Sequence, residues 1–150
     1  MKKVRKLLKQ KGSEVYSINY RDTLLEVVDE MTKRNIGALV VIDGNKNIKG
    51  IISERDILRK LYNANCNVEN VKLKEVMTES KDLIVATMDD SLEYVMNTMT
   101  DNRVRHIPVV DKNGKLKGIV SIGDIVKAQL SESNSEIKML KDYIQGSYPV

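Results

Sequence analysis

Apolar and polar residues follow two rhythms along this chain, and the same succession of rhythms occurs twice. Val4, Leu7 and Leu8 stand at i, i+3 and i+4, one stripe on a short helix that Gly12 and Ser13 stop. Leu73, Val76 and Met77 repeat that spacing later. A short strand is expected over Glu14 to Ile18, then a turn over Asn19 to Asp22. Thr23 followed by Glu26 is a capping-box pattern, so a helix starts there. Leu24, Val27, Val28 and Met31 form its inward face; Leu92, Val95, Met96 and Met99 hold the same places in the second pass. Two apolar strands follow in each pass. In the first they are Ala38 to Ile42 and Ile48 to Ile52, joined by Asp43-Gly44-Asn45. In the second they are Ile107 to Val110 and Leu116 to Val120, joined by Asp111-Lys112-Asn113-Gly114. Pro108 cannot donate to a ladder, which marks an edge or a strand start. Each pass closes with a helix, residues 54–63 and 122–130. Ser133 with Glu136 reads as a further cap, opening a separate terminal helix striped by Ile137, Leu140, Tyr143 and Ile144 up to Gly146.

The two passes superpose at an offset of 68 residues, without a gap, over Val15 to Tyr62 and Leu83 to Leu130. Of those 48 positions 14 are identical, where composition alone gives about 3. The leading stripes are offset by 69, so the connection after them differs by one residue. The order strand, helix, strand, strand, helix, twice over, is an α+β fold built by internal duplication. Its units are 1–63 and 73–131, with a polar linker at 64–72 and a terminal helix and tail at 132–150. A repeat of about 60 residues buries little surface alone, so the two are expected to pack as one body.

Composition narrows the class. With 41% hydrophobic and 31% charged residues the chain is globular, its core built from Ile, Val, Leu and Met without Phe or Trp. Met31, Met96 and Met99 are core residues on this reading. Cys66 is the one cysteine and cannot form an internal disulfide, and no His or Cys cluster suits a metal. A reducing cytoplasm fits, and no apolar run is long enough for a membrane span. The basic first 11 residues lack the apolar core of a secretory signal. A net charge of +4 raises nucleic acid as a partner, but beyond the lysines near the N-terminus the positive charges are scattered among acids.

The chemistry concentrates in one phrase, Gly-x-x-Ser-x-x-Asp, at Gly50, Ser53 and Asp56 and again at Gly118, Ser121 and Asp124. Each glycine lies in a strand, where it permits close backbone approach. The strand runs into a helix N-terminus, which favours an anion. The serine hydroxyl suits a phosphate oxygen, and the carboxylate, acceptor-only when ionised, suits the two vicinal hydroxyls of a ribose. The same residues also make a helix cap with an acid in the first turn, and duplication leaves both readings open. No Walker or dinucleotide glycine loop and no nucleophile–base set with a distinctive setting points to an enzyme.

Both units resemble CBS domains, and the pair resembles a Bateman module. The resemblance rests on Asn35-Ile36-Gly37-Ala38-Leu39-Val40-Val41 and on Arg103-Val104-Arg105-His106-Ile107-Pro108-Val109-Val110-Asp111, each followed by its Gly-x-x-Ser-x-x-Asp, and covers about residues 4–130. Tyr143 to Tyr148 also resembles the end of stand-alone CBS pairs. The resemblance implies two sites shared between repeats. One would join Ser53 and Asp56 to Thr87, Val104, Arg105 and His106. The other would join Ser121 and Asp124 to Asn19, Ile36, Gly37 and Ala38. Arg105 and His106 would neutralise phosphates at the first site, and the histidine would make binding there pH-sensitive. It further implies a regulatory, non-catalytic protein that binds AMP, ADP, ATP or NAD(H), requires no cofactor, and signals as a homodimer to an effector protein. A sensor of S-adenosylmethionine, and an interaction module with empty sites, are the alternatives.

Overall fold

The computed structural model describes residues 2–12, 14–63, 65, 67, 69 and 71–145. Ser13, Cys66 and the tail residues Gly146 to Tyr148, all invoked above, lie outside them. The first unit contains α1 (Val4–Lys11), β1 (Ser17–Asn19), α2 (Leu24–Arg34), β2 (Ala38–Ile42), β3 (Ile48–Ser53) and α3 (Glu54–Asn63). The second contains α4 (Leu73–Val76), β4 (Thr78–Glu79), α5 (Leu92–Asn102), β5 (His106–Val110), β6 (Leu116–Ser121) and α6 (Ile122–Ile144). This is the expected α+β order. Among the described residues no helix is long and apolar enough to cross a membrane.

Local chemistry explains most boundaries. Thr23 and Glu26 form the reciprocal cap of α2, Oγ1 accepting from the Glu26 N–H and Oε2 accepting from the Thr23 N–H. Asn35 ends α2 at φ 52 and Arg103 ends α5 at φ 54, both left-handed C-caps. The hairpin turns are tied by Asp43 and Asp111, whose Oδ1 atoms each accept two backbone N–H groups. The left-handed residues there are Lys46 and Gly114, one repeat apart.

Two expectations need correction, and a third resolves between its alternatives. Val28 is exposed, because α2 buries only the narrower stripe of Leu24, Val27 and Met31. Ser133 and Glu136 open no new helix. No glycine or proline interrupts residues 124–144, so α6 runs unbroken for 23 residues and both lie inside it. Pro108 sits at the third position of β5, not at its start; of the two alternatives the edge holds, since β5 pairs with β6 in a two-stranded sheet and its other side meets an isolated bridge from Ala86 to Val109. Its carbonyl accepts from the Ala86 N–H at 2.9 Å, so its missing N–H faces that same side. That loss removes the donor for pairing before Ala86, and the second unit has one bridge at Ala86 where the first has the three paired residues of β1.

The units exchange their leading helices. Val4, Leu7 and Leu8 of α1 pack in the core of the second unit, with Leu92, Val95, Met99 and Ile125. Leu73 and Val76 of α4 pack in the core of the first, with Leu24, Val27, Met31 and Ile57. Backbone bridges repeat the exchange: Lys3 pairs with Ser91, and Thr23 with Lys72. Asn47 bridges Lys115, its own counterpart at the offset of 68, so a pseudo-twofold axis passes there. The strand glycines make room for this packing. A Cβ on Gly118 would run into the Leu8 side chain; one on Gly50 would run into the Thr78 carbonyl.

The exchange is unequal at its end. After α4 the chain turns extended, and Thr78 and Glu79 pair with Ile51 and Gly50 at the edge of β3. After the matching turn α1 stays helical through Lys9, Gln10 and Lys11 until Gly12 ends it at φ 96. Among the described residues, the edge of β6 therefore receives no strand. At Ile119, the counterpart of Ile51, the carbonyl accepts from the Lys11 ammonium at 2.7 Å.

Candidate functional site

Each Ser-x-x-Asp forms a cap in the structure. At the start of α3 the Asp56 N–H donates weakly to Ser53 Oγ, at 3.4 Å, and Asp56 Oδ2 accepts from the Ser53 N–H at 3.0 Å and from its hydroxyl at 2.9 Å. At the start of α6 the Asp124 N–H donates to Ser121 Oγ at 3.1 Å, and Asp124 Oδ2 accepts from the Ser121 N–H at 2.9 Å. The cap reading is thus realised twice. It does not exhaust the carboxylates, since the cap bonds fall on Oδ2 in both. It also aims both side chains at the strand-to-helix corner, where the helix N-terminus favours an anion.

A cavity of about 760 Å³ opens at the first of these corners. Its walls include Ser53, Glu54, Arg55, Asp56 and Arg59 from the first unit, with Gly37 and Ala38 beside them. From the second unit come Asn102, Arg103, Val104, Arg105 and His106. The left-handed cap at Arg103 turns the chain from α5 into this segment. Four arginines and two acids thus surround a half-buried serine hydroxyl. That composition suits a ligand with both an anionic group and neutral hydroxyls.

The structure redistributes the expected residues. Ser53, Asp56, Val104, Arg105 and His106 come together as expected. Thr87 is exposed and outside that wall, holding Asp90 by its backbone N–H; Thr78 lines the cavity instead. Gly37 and Ala38, expected with Ser121, line the Ser53 cavity, because Ala38 is paired in register with Ser53 and the Gly37 carbonyl accepts from the Glu54 N–H. By the same register His106 pairs with Ser121 and Arg105 accepts from Ile122. The strand entries therefore adjoin the serine of their own unit, a consequence of the hairpin that the resemblance did not convey. Asn19 serves its own turn, accepting from Arg21 and donating to Asp22. Ile36 packs against the core of the first unit. Arg55 and Arg59 were missed, although their i, i+4 spacing behind Ser53 places them on one helix face.

The corner at Ser121 is dressed differently. The Lys11 ammonium, from the end of α1, lies 2.5 Å from Asp124 Oδ2. Burial opposes ionisation of Asp124, but the Lys11 ammonium and the Ser121 N–H outweigh it and hold the carboxyl below its ordinary range. His106 is half-buried, and that burial, with Lys11 nearby, pushes its imidazole below the ordinary value against the pull of Asp124 and Glu54. Burial thus works against a charge on the imidazole, and the fixed positive charge of the cavity is that of its arginines.

Known proteins share this architecture. The chain matches the CBS domain over residues 5–63 and again over 73–131. A mitochondrial CBS domain-containing protein of Arabidopsis thaliana, CBSX3, is 43% identical over 129 residues, which is 85% of this chain and 62% of that protein. The chain thus spans under two thirds of that relative's length. The crystal structure of a CBS-domain-containing protein from Agrobacterium tumefaciens superposes with a TM-score of 0.78 at 31% identity, covering 85% of this chain and 98% of that one. A CBS-domain pair solved in complex with 5′-methylthioadenosine and S-adenosyl-L-methionine superposes with a TM-score of 0.73 at 25% identity, covering 85% and 98% of the two chains. Two matched domains, spanning most of the length and folded around one pseudo-twofold axis, place this chain in the CBS-domain family as a tandem pair.

Proposed function

We propose that this protein is a non-catalytic regulatory sensor of a nucleotide containing adenosine. The observation that carries the reading is the cavity at Ser53. It sets a carboxylate suited to a ribose diol beside a hydroxyl, a helix N-terminus and Arg55, Arg59, Arg103 and Arg105. The related CBS pair that holds two adenosyl compounds supports the adenosine part. The arginines favour a ligand with phosphates, AMP, ADP, ATP or NAD(H), over S-adenosylmethionine, which has none. Binding across the two units stabilises one relative orientation of them, and that population shift is the signal passed to an effector protein.

The active form is a homodimer. Ile137, Leu140 and Ile144 on the outer half of α6 are exposed, as are Leu58 and Tyr62 on α3. Helix beyond Leu130 has little core of its own to rest on, and a short unsupported helix is marginal in water. A second copy of the chain covers these faces. Leu140→Asp shifts the protein to the monomer elution volume in size-exclusion chromatography; an unchanged volume removes α6 from the interface.

The decisive experiment is a thermal-shift panel with AMP, ADP, ATP, NADH and S-adenosylmethionine, on the wild type and on Asp56→Ala with Asp124→Ala. A ligand at 100 times its dissociation constant adds about 2.7 kcal/mol, which raises Tm by several degrees. The expected result is a rise with a phosphate-bearing nucleotide that the double variant loses. A flat panel on folded protein returns the site to the role of helix cap.

A further inference from the structure

The duplicated carboxylates have unlike surroundings. Asp56 Oδ2 accepts from the Ser53 N–H and from a serine hydroxyl. A hydroxyl can rotate away and offer its proton to an arriving ligand. Asp124 Oδ2 accepts from the Ser121 N–H and from the Lys11 ammonium. That ammonium is not loose. It also donates to the Ile119 carbonyl, and its side chain is 30% exposed, against 23% for Asp124. In the first unit the residue equivalent to Ile119 pairs with Thr78 of β4, and no lysine approaches Asp56 in an ion pair among the described residues. Lys11 thus fills the place of a missing edge strand, and in doing so places a cation on the second carboxylate.

We infer that Lys11 is the residue that makes the two nucleotide corners inequivalent: it latches Asp124 as an internal ion pair and leaves Asp56 as the carboxylate open to a ribose diol. This inference rests on the nucleotide reading above. A diol can take both carboxylate oxygens of Asp56 by turning one hydroxyl. To take both oxygens of Asp124 it must displace the ammonium from Oδ2 and leave the Ile119 edge uncovered. The wild-type chain therefore binds one nucleotide, and a chain without the latch binds two.

The test is titration calorimetry with AMP as the probe, on wild type, Asp56→Ala, Lys11→Met and Lys11→Met with Asp124→Asn. Methionine keeps the length of the side chain and its helix propensity at the end of α1. The expected stoichiometry is one AMP per chain in the wild type, lost in Asp56→Ala, and two in Lys11→Met, falling back to one when Asp124 is also replaced. Two AMP on the wild type, or still one on Lys11→Met, overturns the latch while the nucleotide reading stands. If AMP binds to no variant, the nucleotide reading fails at this probe, and carboxyl NMR decides the latch. Asp124 must titrate below the ordinary carboxylate range in the wild type and return toward it in Lys11→Met. An unmoved titration overturns the latch.

Discussion

The two units share a sequence phrase, a hairpin register and a cap, yet their outer edges are finished by different means. In the first unit β4 closes the edge of β3 with backbone pairing at Gly50 and Ile51. In the second, α1 runs one turn longer and one ammonium does the work at Ile119. Beside the strand, the carboxylate of Asp56 has no ion-pair partner among the described residues; beside the lysine, that of Asp124 has one. Duplication thus copies a fold more faithfully than it copies a site, because a binding corner depends on what the flanking chain brings to it.

The strongest way to break this contrast is to fill the space under each edge. Gly50→Ala forces a Cβ against the Thr78 backbone, which cannot step aside without detaching β4. It costs about 1–3 kcal/mol. Gly118→Ala meets the branched end of Leu8, which can turn, and costs about 1 kcal/mol or less. Urea midpoints of the two variants give the order, and a larger loss for Gly118→Ala contradicts the account of the edges.

Charge sharpens the contrast next. Arg59 lines the cavity, while Lys127 holds its place in the second unit. Arg59→Ala lowers AMP affinity by about 10-fold, the scale of one charged hydrogen bond, and Lys127→Ala leaves it unchanged. Equal losses would mean that both corners bind alike.

The smallest effect is on pH. The folded-state value of His106 lies below its unfolded value near 6.5, so the unfolded chain binds more protons between the two. The associated stability is complete above about pH 6.5 and is lost as pH falls through the folded value, with a slope of at most about 1.4 kcal/mol per pH unit. His106→Asn flattens that part of the stability profile. A profile unchanged between wild type and variant refutes the burial effect.

Much of the fold was legible because its periods are local. The spacing of Val4, Leu7 and Leu8, the pair Thr23 and Glu26, and the turn residues at Asp43 and Asp111 each dictate structure within a few positions. What the spacing cannot convey is destination. The stripes led by Val4 and by Leu73 are equivalent, so nothing in either says which core it enters, and the exchange of helices appears only in three dimensions. Ser133 misled because a capping pattern is effective only where a helix needs a start. At the site, Ser53 and Asp56 were legible from a repeated phrase. The closeness of Gly37 and Ala38 to Ser53 was not legible because strand register decides it, and Lys11 was invisible because its partner lies 113 residues away.

The exchange of leading helices also sets an order of events at the ribosome. The seat of α1 is made of residues 86–128, and its first anchor, the Val4 N–H on the Asp90 carbonyl, joins positions far apart in the chain. The first unit is complete once Leu73 and Val76 have emerged. Among the described helices α1 is made before the others and waits longest, its apolar stripe unseated until the second hairpin and α6 have followed. A nascent chain with residues up to about 80 outside the ribosome should therefore carry a folded first half and a protease-sensitive α1, and the emergence of α6 decides when α1 is protected.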